Sequence, residues 1–163
     1  MISIQAANTL SIPVIKELAY IIWPPTYSPI LPAGQLEYML DLIYSEASLQ
    51  KQMERGHQFI LIYNDTDAIG FASYSPKENT SIYKLHKLYI NQNQQGKGIG
   101  KIAIDYICND IKNKDAVSLE LNVNRHNKAL HFYQKLGFKI IGKEDIDIGN
   151  GYFMNDFVLG YQL

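Results

Sequence analysis

The sequence predicts an α/β fold: one mixed, mostly antiparallel sheet flanked by helices, in a single domain spanning residues 1–163. Three observations carry this. Runs with strand alternation and runs with helical periodicity follow one another as strand, helices, three strands, helix, strand, helix, two strands. Turn signals at Asn64-Asp65-Thr66-Asp67 and Gly149-Asn150-Gly151 join neighbouring strands as antiparallel hairpins. A glycine-rich turn, Gln95-Gly96-Lys97-Gly98-Ile99-Gly100, separates a long apolar strand from an amphipathic helix.

Taken in order, Ile2 and Ile4 alternate with polar residues as a short first strand. Ser11-Ile12-Pro13 reads as an N-cap followed by a first-turn proline. Val14, Leu18, Ala19 and Ile22 then recur at helical spacing, and Pro24-Pro25 stops that helix by Trp23. The only tryptophan and four of the six prolines fall between residues 23 and 32, which predicts a stiff aromatic loop. That loop is either a wall of a substrate pocket or a structural corner. Leu36, Met39, Leu40, Ile43 and Tyr44 mark a second helix, and Ser48 to Arg55 a short third ended by Gly56. Phe59–Tyr63 and Ile69–Tyr74 form a hairpin. Ile82–Ile90 is the strand entering the glycine turn, and Ile99–Ile111 the helix leaving it. Ser118–Val123 alternates as a strand. Asn127–Leu136 is a helix with Ala129, Phe132, Tyr133 and Leu136 on one face. Phe138 opens the last hairpin, which Tyr152–Leu159 closes.

A strand feeding a glycine turn at a helix start is a phosphate cradle: N–H groups approach the ligand and the helix end adds partial positive charge. A P-loop is excluded, because Gln95 stands where its first glycine belongs and Ile102 where Ser or Thr belongs. The dinucleotide fingerprint fails at Lys101. What remains is Gln-x-x-Gly-x-Gly. A second motif follows one helix and one strand later: Asn127, then Ala129-x-x-Phe132-Tyr133-x-Lys135-x-Gly137-Phe138.

The two motifs in this order resemble the GNAT superfamily of acyl-CoA-dependent N-acetyltransferases, and the element order fits that resemblance over essentially the whole chain. One departure is Gln92, where the family often has proline. The resemblance implies acetyl-CoA as donor, with the pyrophosphate held by Gln95, Gly96, Lys97, Gly98, Ile99, Gly100 and Lys101. The two lysines add charge there or are simply solvated. It implies pantetheine pairing along Leu88, Tyr89 and Ile90, with an N–H near Leu88 or Tyr89 stabilising the tetrahedral intermediate. Asn127 binds the pantetheine arm, caps the helix it begins, or does both. Tyr133 is the general acid toward the leaving thiolate or a core aromatic. For the base, His86 and Lys84 are the candidates. His86, which alternation puts on one strand face with Leu88 and Ile90, has the suitable reference pKa; it is otherwise a strand histidine or a pocket liner. Trp23, Tyr27 and Tyr38 are the acceptor-binding candidates. The acidic, aromatic run from Glu144 to Asp156 is a lip suited to a cationic amine, or a solvated hairpin face. The expected acceptor is a small-molecule amine, a polyamine or a peptide amine. A binding module of the same fold without turnover is the alternative. Family habit implies a homodimer.

Composition adds bounds. At 163 residues, 47% hydrophobic and 19% charged, the chain fits one globular core. A net charge of −1 without a basic stripe argues against nucleic acid. No apolar run reaches membrane-spanning length, and MISIQAANTL does not read as a signal peptide. The single cysteine, Cys108, excludes an internal disulfide, fits a cytoplasmic location, and reads as a small helix residue instead of a nucleophile. No metal is expected, because none of the histidines has ligand spacing. Twelve tyrosines favour half-buried strands and pocket rims.

Overall fold

The computed structural model describes residues 1–163. The elements are β1 (Ile2–Ala6), a 3-10 turn (Thr9–Ser11), α1 (Ile12–Tyr27), α2 (Ala33–Tyr44), α3 (Glu46–Glu54), β2 (Gln58–Asn64), β3 (Asp67–Pro76) and β4 (Ile82–Ile90). A second 3-10 turn (Gln92–Gln94) leads to α4 (Ile99–Lys112), β5 (Ser118–Asn124), α5 (Ala129–Lys135), β6 (Lys139–Gly149) and β7 (Tyr152–Gln162). The strands form one seven-stranded sheet in the order β1-β2-β3-β4-β5-β7-β6. Only β4 and β5 run parallel.

The central strands are apolar on both sides because helices cover both sides. Phe59, Leu61 and Phe71 pack with Ile15, Ile22, Trp23 and Leu49 of the α1–α3 layer. Ile60, Ala72 and Leu119 pack with Ile104, Ile107 and Ile111 of α4 and with Tyr133 of α5. The period of two along β2 splits the strand between these layers. Cys108 packs in the second layer, and burial pushes its thiol pKa up, as suits an inert packing residue.

The first helix does not stop at Trp23. Pro24 and Pro25 lie inside α1, which runs to Tyr27. Each proline removes one N–H donor from the ladder. The carbonyls so released belong to Tyr20 and Ile21, on the exposed side of the helix. Thr26 Oγ1 donates to Ile22 O at 2.8 Å, and Ser28 N donates to Pro24 O at 2.9 Å. Trp23 and Tyr27, one turn apart, are both buried. Their packing outweighs the local penalty, so the expected aromatic loop is the last turn of a helix.

β4 carries the irregularity that shapes the site. Ser73 pairs with Lys87 and Tyr74 with Leu85, so one step on β3 faces two on β4, and His86 is the extra residue. This bulge resets the alternation. Leu85 and Leu88 face α4, while Lys87 and Tyr89 face α1 and α2. His86 goes with the latter pair, not with Leu88 and Ile90 as simple alternation predicts: its Nε2 lies 2.7 Å from Ser75 Oγ, and it stands beside Trp23 and Tyr27. Bulges bend the strand that carries them. Pairing of β4 with β5 ends one residue earlier, at Leu85 and Leu121. Beyond that point β4 stays with β3 as far as Ile90, and β5 stays with β7 as far as Asn124. The sheet therefore opens between β4 and β5.

Candidate active site

The glycine turn closes one end of this opening. Gly96 and Gly98 have φ of +80° and +76°, a region costly for L side chains, and a Cβ on either would meet nothing. Their requirement is conformational. Gly100 is needed for a different reason: a Cβ there would lie 2.7 Å from the Phe132 ring, so α4 and α5 could not approach. None of the backbone N–H groups from Gly96 to Lys101 donates to a backbone acceptor; the first such bond is Ile102 N to Gly98 O. These free donors at a helix start suit a phosphate group. Gln95 lines the cleft, and its Nε2 donates to Ile90 O at 3.1 Å, tying the turn to β4. Lys97 reaches Gln94, Lys101 pairs with Asp105 at 2.7 Å, and neither lysine lines the cleft.

The cleft itself has a volume of about 580 Å³ and runs from Gly96, Gly98 and Gly100 along the opening to Tyr133. Asn91 N donates to Ile69 O, so Lys87 and Tyr89 turn their main-chain groups toward β3. By the same alternation Leu88 and Ile90 turn theirs into the opening. Tyr89 contributes its ring. On the far wall, Asn127 accepts a bond from Ala129 N at 2.9 Å through Oδ1 and so braces the entry to α5. Asn127 lines the cleft as well; it is not the helix N-cap expected from the sequence, since α5 begins at Ala129 with Lys128 at the cap position.

Three tyrosines converge where the strands part. The Tyr27 and Tyr89 hydroxyls lie 3.0 Å apart. Tyr133, buried between Phe132 and Phe138, feels the Tyr27 hydroxyl electrostatically. Burial is the main cause that pushes all three phenols upward, so each is a proton carrier at neutral pH. Tyr133 has no hydrogen-bond partner that shifts its pKa.

A second, smaller cavity of about 160 Å³ adjoins the first and shares Tyr27, His86, Lys87, Tyr89 and Asn122 with it. Trp23 and Tyr44 form its aromatic wall, and Asp156 of β7 lies among the polar groups of its lining. Three buried polar atoms of this lining lack a full partner: Asp156 Oδ1 has no donor, whereas Trp23 Nε1 and Tyr44 Oη have only each other. The other two such atoms in the protein, His57 Nδ1 and Ser73 Oγ, belong to the ring stacked on His86 and to the residue opposite Lys87. Buried polar groups are normally satisfied, so the donor-free Asp156 Oδ1 is a candidate contact for a ligand in this cavity.

Trp23 and Tyr27 line the small cavity and at the same time belong to the buried core beneath α1 and α2. Tyr38 does not line that cavity: its hydroxyl donates to Ile148 O at 2.8 Å and its ring packs on Tyr152, docking α2 on the last hairpin. Gly34 and Gly149 leave room for that interlock. Burial first, then His57 and the neighbouring lysines, lower the His86 pKa to about 3. Lys87 is buried, with Nζ 2.6 Å from Gln52 Oε1 and above the Tyr44 and Phe59 rings, and burial lowers its pKa to about 8. Lys87, Tyr44 and Asn122, which also line the small cavity, were not among the sequence candidates, and Asp156 entered only as the end of the acidic run from Glu144. No group of three or more His, Cys, Asp or Glu side chains is arranged to hold a metal, and no helix is long and apolar enough to cross a membrane.

This geometry agrees with the comparisons. The chain belongs to the GNAT acetyltransferase family, whose acetyltransferase domain model matches residues 31–152. In three dimensions it is similar to the PaiA N-acetyltransferase of Thermoplasma acidophilum in complex with coenzyme A, with a TM-score of 0.85 and 25% identity, covering 100% of this chain and 99% of that one. It is also similar to a GCN5-related N-acetyltransferase of Rhodopseudomonas palustris, with a TM-score of 0.83 and 17% identity over 99% of this chain and 95% of that one. Among curated proteins it is similar to the peptidyl-lysine N-acetyltransferase YjaB of Salmonella typhimurium, at 36% identity over 64 residues, 39% of this chain and 41% of the relative. The match thus spans about two fifths of that relative's length.

Proposed function

We propose that this protein transfers an acetyl group from acetyl-CoA directly to a primary amine: a small-molecule amine, a polyamine or a peptide amine. The observation that carries the reading is the continuity of the two cavities. A cleft floored by free N–H groups at its glycine end meets, at Tyr27 and Tyr89, an aromatic pocket that holds the donor-free Asp156 Oδ1. The cleft suits a pyrophosphate with an amide-bearing arm. The pocket suits an amine head. The coenzyme A complex of the Thermoplasma relative and the lysine acceptor of the Salmonella relative support the same pairing.

In this reading the N–H of Leu88 meets the carbonyl oxygen as it becomes an oxyanion. Tyr133 gives its proton to the departing sulfur. A phenol raised by burial is a weaker acid in isolation, but the thiolate forms in the same desolvated cleft and is raised too, so the difference between the two decides the transfer. Lys97 and Lys101 contribute only field. His86 lines the junction as a neutral ring, because a group of pKa about 3 does not take a proton from an ammonium.

The test is purified protein with acetyl-CoA and an amine panel, followed by release of free thiol and by mass of the product. Amine-dependent thiol release with an N-acetyl product supports the proposal. Acetyl-CoA binding by calorimetry with no thiol release from any amine assigns the protein to non-catalytic binding. Absence of acetyl-CoA binding overturns the donor site itself.

A further inference from the structure

We infer that Asp156 is the group that receives the acceptor's ammonium and removes its proton. The inference rests on the acetyltransferase reading and names the base that this reading leaves open. Asp156 lies on β7 opposite Asn124 of β5 and Glu144 of β6, and only 6% of its surface is exposed. Its two oxygens are treated differently. Oδ2 accepts from Asn122 Nδ2 at 3.3 Å, and Asn122 is itself oriented by Lys84 Nζ, which donates to its Oδ1. Oδ1 is buried and has no donor. One oxygen is tethered and the other is left for a ligand in the small cavity. A buried carboxylate oxygen without a donor is costly in an otherwise satisfied interior, and a primary ammonium supplies the missing donor.

The rest of the cavity agrees. Trp23, Tyr27, Tyr44 and Tyr89 give it an aromatic wall on which a cation sits favourably. Its volume, about 160 Å³, admits the end of an amine chain. The charged and titratable groups facing Asp156 are Lys84 of β4, Arg125 after β5, Glu144 of β6 and Tyr27 of α1, with His86 and Lys87 in the same lining. Burial is the first cause that raises the Asp156 pKa, and the same burial lowers that of an entering ammonium, so the two approach each other.

The step balances. Asp156 takes one proton from R–NH3⁺. The freed nitrogen pair forms the C–N bond at the acetyl carbon, the C–S bond breaks with its pair going to sulfur, and Tyr133 protonates that sulfur. The second nitrogen proton restores Tyr133, and Asp156 returns its proton to solvent.

The experiment compares the native protein with Asp156→Asn, which keeps size and the Asn122 contact. Calorimetry with acetyl-CoA comes first. Equal affinities are expected, and absence of binding to the native protein refutes the donor site without bearing on Asp156. Thiol release is then measured with n-butylamine and with trifluoroethylamine, whose amine is far less basic. The variant should lose on the order of 100-fold in kcat/KM with n-butylamine, and the loss should be at least tenfold smaller with trifluoroethylamine, which needs no base. The native acid limb of kcat/KM against pH should vanish in the variant. Equal losses with both amines, or an unchanged limb, overturn the inference. If the native protein acetylates neither amine, n-butylammonium is titrated by NMR into the acetyl-CoA-saturated proteins: at least tenfold weaker binding to Asp156→Asn supports the ammonium site, and equal binding overturns it. Asp156→Glu, which restores the charge, should recover part of the n-butylamine rate.

Discussion

Tyr133→Phe isolates one hydroxyl. The ring is held between Phe132 and Phe138, and those edge contacts survive the substitution. The hydroxyl contributes no hydrogen bond to the fold that would be missed, so stability should change by no more than about 0.5 kcal/mol, roughly 2 °C or less in Tm for a chain of this size. Acetyl-CoA affinity should stay within about twofold, since the donors at Gly96 to Lys101 are untouched. The chemical step should suffer. A positioned proton donor is worth about 10²–10⁴ in rate, or about 2.7–5.4 kcal/mol of barrier. Steady-state kinetics with the best amine, calorimetry with acetyl-CoA and a melting curve test all three quantities on one sample. An unchanged kcat refutes Tyr133 as the acid. A fall in kcat with an equal fall in acetyl-CoA affinity refutes it differently, by making the hydroxyl a binding group.

Three further outcomes are expected. Gly98→Asp should abolish acetyl-CoA binding in calorimetry, because it puts negative charge at a helix start; Gly98→Asn, neutral and tolerant of positive φ, should keep most of it, and retained binding in the Asp variant removes the cradle assignment. Tyr38→Phe should cost about 1 kcal/mol, or roughly 2–4 °C, through the lost bond to Ile148 O, with the acceptor KM unchanged; a KM shift without loss of Tm would return Tyr38 to the pocket. Between about pH 3 and 6.5 the unfolded chain binds a proton at His86 that the folded chain does not, so stability falls as pH drops through that window. His86→Gln should flatten this part of a Tm-against-pH curve, and an unaltered slope means that His86 is not held neutral.

The proposed donor half of the site was legible in the sequence because it is built from contiguous backbone. Positive φ at Gly96 and Gly98, free N–H groups at the start of α4 and the strand before them all lie within 82–101, and each has a local signal. Asn127 and Tyr133 were legible through a second local motif. Of the proposed acceptor pocket only Trp23, Tyr27 and His86 were named individually from the sequence, because the groups that join them come from α2, β4, β5 and β7 and meet only through the sheet order. Asp156 belonged to an acidic run that read equally as a lip for a cationic amine or a solvated hairpin face; pairing with Asn124 across β5 is what buries it. A bulge at His86 carries no glycine or proline to announce it, yet it decides which face His86, Lys87 and Tyr89 occupy.

The prolines of α1 show how a local rule can fail at the place where the site needs it to. Had the helix stopped at Trp23, Tyr27 would sit in a loop with no fixed relation to the indole. Because the helix runs one turn further, Trp23 and Tyr27 stand four residues apart on one buried face, with ring centroids 4.5 Å apart. That turn carries the Tyr27 hydroxyl to within 3.0 Å of Tyr89, at the junction of the two cavities. Pro24 and Pro25 also remove backbone freedom that the unfolded chain would otherwise regain, which offsets part of the lost ladder bonds. The segment is thus stiff, as its composition predicts, but stiff as a helix end. Its rigidity fixes an aromatic wall and a hydroxyl against β4 just where the two cavities meet.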